Sequence, residues 1–172
     1  MRKRIDASAL SSVVGTLYPS PYDVPCRPRE RTKLGDAAGL SQFGVNLLRL
    51  PPGAWSSQRH WHTREDEFVY VLSGEVVLVT NGGEEVLRAG DAAGFPGGDA
   101  NGLCLQNRSS SDARVLEIGT RVPGETAYYS ESTWSLRPVT IAPSTPAGMA
   151  RPTRIWDVAA LEPLCKTGTV IE

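Results

Sequence analysis

Histidine is almost missing from this chain: among 172 residues there are two, His60 and His62. Any chemistry that needs imidazole must use this pair or borrow from another chain. Cysteine is scarce as well. Cys26, Cys104 and Cys165 are odd in number and widely spaced and form no C-x-x-C pair, so reduced thiols are the plain reading. An excess of one charge is also lacking, with 18 Lys and Arg against 19 Asp and Glu. That balance argues against nucleic acid or an anionic membrane surface as the partner. Two short basic clusters, Arg2-Lys3-Arg4 and Arg27 to Arg31, read as solvated tail or loop. No run approaches the roughly 18 apolar residues of a membrane-spanning helix. The basic start at Met1–Arg4 is followed by Asp6, Ser8, Ser11 and Ser12 rather than by an apolar stretch, so a cytoplasmic protein is expected. There is no G-x-S-x-G elbow, no phosphate-cradling glycine loop before a helix, no dinucleotide fingerprint and no visible helix-turn-helix.

What is present fits one domain of modest size. Residues 1–40 are polar, with Pro19, Pro21, Pro25 and Pro28 ruling out a long helix, and read as an arm that wraps or swaps onto the rest. From residue 41 the pattern changes. Short runs rich in Val, Leu and Phe occupy 43–50, 67–72, 76–80, 84–87, 91–95, 102–106 and 114–120. Turn residues separate them. Asn81-Gly82-Gly83 is the strongest turn, because Asn and Gly tolerate the positive φ of tight hairpins, and Ala89-Gly90-Asp91 and Ser109 to Asp112 follow. Many short strands with tight turns indicate an all-β sandwich or barrel over residues 41–137. Residues 138–172 read as a Pro-, Ala-, Ser- and Thr-rich loop followed by a helical turn or two near 155–161.

His60-Trp61-His62 stands on an expected strand. Side chains two apart share a face, so both imidazoles point one way and Trp61 the other. Glu67 follows a short polar turn, at the start of a strand expected to pair back against the first. Two imidazoles and one carboxylate with open positions make a facial triad suited to Fe(II), and also to Mn, Ni or Zn. By the same parity Gln58 is a candidate pocket residue, and Asn46, in the preceding strand, is a pocket polar group or a strand-edge residue. Glu117, set among apolar residues, is a candidate proton carrier or the partner of an arginine such as Arg49. Tyr128 and Tyr129 follow the barrel and are placed to close its mouth or to pack on its surface. Phe68 and Tyr70 fall opposite Glu67, as core or interface.

These residues resemble the cupin superfamily. Its first motif reads here as Gly53 … His60-Trp61-His62 … Glu67 … Gly74, and its second as Gly90 … Pro96-Gly97-Gly98 … Leu103 … Asn107. The stretch 44–121 is similar to small one-domain bacterial cupins called sugar-phosphate-isomerase-like. The resemblance implies a double-stranded β-helix, or jelly-roll barrel, a homodimer formed through a sheet face, and one divalent metal on His60, His62 and Glu67. The chain departs from the pattern at Leu103, where cupins supply a further histidine. Cys104 should face away from the pocket. Three protein ligands with open positions suit catalysis rather than a structural ion. The expected activity is metal-assisted isomerase, lyase or cyclase chemistry on an oxygen-bearing small molecule. Glu67 or Glu117 would carry the proton, and Gln58, Asn46, Leu103, Arg49 and Tyr128 would line the substrate site. The alternatives are a non-haem Fe(II) dioxygenase and a metal-free binding module.

Overall fold

The computed structural model describes residues 4–130 and the backbone of 139–140. The helix expected near 155–161 lies outside the described residues. Twelve strands are described: β1 (Val13–Val14), β2 (Glu30–Lys33), β3 (Phe43–Leu50), β4 (His60–His62), β5 (Glu67–Ser73), β6 (Glu75–Thr80), β7 (Gly83–Arg88), β8 (Ala92–Phe95), β9 (Cys104–Gln106), β10 (Ala113–Thr120), β11 (Thr126–Tyr129) and β12 (Val139–Thr140). Among the described residues helix is confined to short pieces, among them α1 (Leu34–Ala37). No helix of the described residues is long and apolar enough to cross a membrane.

All strand pairs are antiparallel. The larger sheet runs β1-β2-β3-β10-β5-β8. Two three-stranded sheets, β7-β6-β9 and β12-β11-β4, meet edge to edge through a bridge between His60 and Leu103. That bridge carries both backbone bonds, His60 N–H to Leu103 O at 3.1 Å and Leu103 N–H to His60 O at 2.8 Å. Together these strands form the second face of a jelly roll.

Alternation sorts the residues. In β5, Val69 and Val71 are buried while Phe68, Tyr70 and Leu72 are exposed. Val69 and Val71 join Leu48, Leu50 and Val115 of the large sheet against Val76, Leu78, Leu87 and Leu105 of the other. Burying each such side chain contributes about 1.5–3 kcal/mol. Two motif glycines have steric reasons. A Cβ on Gly97 would lie 2.5 Å from the Arg64 carbonyl carbon, and one on Gly74, at φ 75°, would lie 2.6 Å from Asp112 O. Asn107 of the second motif is fully buried and donates Nδ2 to Leu50 O and Ser111 O, both at 2.7 Å, clamping a loop rather than facing a ligand.

The segment expected as an arm contributes β1 and β2 to this same chain's large sheet, with Arg31 opposite Leu48 and Lys33 opposite Asn46.

Candidate metal centre and its cavity

β4 presents His60 and His62 on one face, with ring centroids 5.0 Å apart. Glu67 reaches them by a route other than the expected hairpin. β4 pairs with β11, whereas β5 pairs with β10 and β8. The turn between them therefore crosses from one sheet to the other, and the imidazoles and the carboxylate face each other across the barrel. The crossing is pinned by backbone donors. Thr63 N–H and Arg64 N–H each donate to the Glu125 carboxylate at 2.8 Å, and Asp66 N–H donates to Thr120 Oγ1 at 2.9 Å.

Ligand atoms of His60, His62 and Glu67 lie within 4.8 Å of one another, a group that fits one metal ion. The His60 tautomer follows from its neighbour. His60 Nδ1 is 3.0 Å from Gln58 O, and a carbonyl only accepts, so Nδ1 carries the proton and Nε2 keeps its lone pair. His62 Nδ1 faces the buried Glu125 carboxylate at 3.4 Å, a long contact outside good hydrogen-bond geometry, while its Nε2 stands 3.7 Å from Glu67 Oε1. Burial, only partly offset by Glu67, lowers the His60 pKa and favours the neutral, ligating form.

These groups line a cavity of about 590 Å³. Its other wall is the inner face of the large sheet. The register aligns Lys33, Asn46, Glu117 and Val69 in one row across four strands, and Gly44, Gly119 and Glu67 in the next. The two glycines leave room beside Glu67.

A cupin domain model matches residues 46–119. A crystal structure from Silicibacter pomeroyi DSS-3, described as a sugar phosphate isomerase from a cupin superfamily, is 48% identical, with a TM-score of 0.73 over 75% of this chain and 82% of that one. The chain belongs to the cupin superfamily. Fold alone is shared with a polyketide cyclase from Streptomyces resistomycificus, 22% identical at TM-score 0.55 over 70% of this chain and 80% of that one. The same holds for a predicted oxalate decarboxylase from Thermotoga maritima, 22% identical at TM-score 0.56 over 68% and 97%. No curated protein matches.

In this cupin the expected site residues divide. His60, His62, Glu67, Asn46, Glu117 and Leu103 all line the cavity. Leu103 is buried there, and Cys104, buried on strand β9, is not among the lining residues. Three others lie elsewhere. Gln58 donates Nε2 to Tyr22 O at 2.6 Å and serves the centre only through its own carbonyl, because the irregular stretch before β4 breaks the parity argument. Arg49 falls on the outer face of β3, where it pairs with Asp112 at 2.7 Å and with Glu30. Tyr128 stacks on Trp61, centroids 4.9 Å apart, on the face away from the imidazoles. Its neighbour Tyr129 is the one that enters the cavity, stacked on His60 at 5.7 Å.

Glu117 does pair with an arginine, but with Arg31, through Nε–Oε2 at 2.7 Å and Nη2–Oε1 at 2.9 Å. The basic cluster at 27–31 is accordingly not all solvated. Arg27 is exposed beside Asp23, Arg29 is buried, and Arg31 lines the cavity. Glu125 escaped notice in the sequence. It is 0% exposed, and nothing in its local pattern marks it; a buried carboxylate must be satisfied, and the two backbone donors of the crossing turn satisfy it.

Proposed function

We propose that this cupin is a metal-assisted enzyme acting on a small oxygen-bearing molecule, with isomerase, lyase or cyclase chemistry. The observation that carries this reading is the convergence of two imidazoles and the Glu67 carboxylate at the wall of a 590 Å³ cavity. A divalent ion held by His60, His62 and Glu67 (Fe, Mn, Ni or Zn) supplies Lewis acidity for a carbonyl, enediol or carboxylate oxygen. The protein's own contributions are orientation and proton transfer. Gln58 O orients the His60 imidazole, Glu125 stands behind His62, and Glu67 or Glu117 takes a proton from carbon and returns it. The name carried by the 48% identical relative supports the isomerase end of this range. Elemental analysis of the purified protein beside the His60→Ala, His62→Ala double variant tests it. Near-stoichiometric metal in the former and none in the latter is expected. Metal in neither, after reconstitution, overturns the reading.

One observation favours a second reading. Leu103 gives the cavity an apolar wall where cupins usually place a further imidazole, which suits a metal-free ligand-binding protein. A tightly retained organic molecule without metal would select it.

We also propose a cytoplasmic homodimer. Phe43, Phe68, Tyr70 and Leu72 stand 38–46% exposed on the outer face of the large sheet. Apolar residues so grouped on one face suit an interface. Light scattering should give twice the chain mass, and Phe68→Asp should halve it.

A further inference from the structure

Strand β2 places cations at alternate positions. Lys33 and Arg31 line the cavity, as does Arg29 just before the strand. Such spacing sends all three side chains to one face. Their compensation is incomplete. Glu117 pairs with Arg31, and Lys33 has only a 3.9 Å contact with Asp36. Arg29 has no carboxylate partner among the described residues. It donates Nε to Gly15 O at 3.0 Å and Nη1 to Ser56 O, and lies 5.9 Å from the Tyr18 ring centroid. Burial, and then the neighbouring Arg31, lower the Arg29 pKa, opposed in part by Tyr18, Cys26 and Glu117. A buried guanidinium without a counter-charge is costly, and cavity-facing cations of this kind suit an oxyanion.

We propose that Arg31 and Lys33, with Arg29 behind them, form the subsite for an oxyanion group of the substrate, a phosphate ester or a carboxylate. This rests on reading the cavity as the substrate site. Glu117 is then both partner and competitor: it holds Arg31 in position when the subsite is empty and shares it when an anion arrives.

The test is calorimetric titration of the full-length, chelator-treated protein with inorganic phosphate and, separately, with malonate. Saturable binding of one of them is expected. Lys33→Gln, at a largely exposed residue, should weaken it about fivefold, and Arg31→Gln about tenfold or more. Glu117→Gln should tighten it about fivefold by removing the competing charge. Preference for phosphate assigns a phosphate ester, and preference for malonate a carboxylate. Failure of both anions to saturate overturns the proposal, as does equal affinity in the parent, Lys33→Gln and Glu117→Gln proteins. Arg31→Gln that lowers stability but leaves affinity unchanged reduces the pair to a structural one and overturns it too. Because the titration is done without metal, its failure is separate from a failure of the metal-content experiment.

Discussion

The imidazole wall of the cavity comes from three consecutive residues of β4, whereas the charged wall is gathered from β2 and β10, on either side of β3. There, Arg31 and Glu117 meet from 86 positions apart. The first wall sets its imidazoles side by side by local alternation and the Gln58 carbonyl on His60 Nδ1, and is backed by β11 and by the buried Glu125 carboxylate behind His62. The second depends on sheet register, since a one-residue slip of β2 would turn Arg31 and Lys33 outward. A site whose metal-type ligands are local and whose charged groups are distant can alter the charged groups without disturbing the ligands.

The largest effect expected on the imidazole wall comes from Glu125→Ala. It strands the Thr63 and Arg64 N–H groups and removes the group behind His62. Stability measured by urea unfolding should fall by about 3 kcal/mol, and metal affinity by about 10–100-fold. If affinity holds while stability falls, Glu125 supports only the turn. Next is Leu103→His, which returns an imidazole to the position bridged to His60. Metal affinity, measured by competition with a chelator, should rise about tenfold or more. No rise would mean that the three-ligand site has diverged in shape.

A smaller effect is the pH dependence of the metal-free protein. His60 has its pKa lowered by burial from 6.5, so the unfolded chain binds that proton more readily. Stability should therefore decline as pH falls through about 6.5, and His60→Asn should flatten the decline. An unchanged slope would assign it to other groups. The smallest is Arg49→Ala. Its ion pairs with Glu30 and Asp112 lie on the outer face, where solvent screening leaves such pairs little net stabilisation. Neither metal nor anion binding should change; a change in either would show that the outer face communicates with the cavity.

The legible part of the site was the local part. Period-two alternation put His60 and His62 together, and the glycine frame put Glu67 within reach. The same alternation placed Asn46 inside, and its apolar neighbours drew attention to Glu117; both lie within regular strands and line the cavity. It failed for Gln58, which precedes β4 in irregular chain, and it holds in β11, where it turns Tyr129 inward and Tyr128 outward. It was also unused where it would have helped: Arg29, Arg31 and Lys33 alternate just as the histidines do, but a proline-rich neighbourhood disguised β2 as a loop.

By itself the sequence determined the all-β class, the cupin frame, the pair of imidazoles and the loss of the usual further histidine at Leu103, because alternation, turn chemistry and close-packed glycines act over a few residues. Only the tertiary structure decided that Glu67 faces the imidazoles from the opposite sheet, that Arg31 rather than Arg49 meets Glu117, and that Glu125 stands behind His62. Those contacts depend on which strands become neighbours and in what register, and pairing between distant strands is set by the packing of the whole barrel rather than by the residues beside each strand.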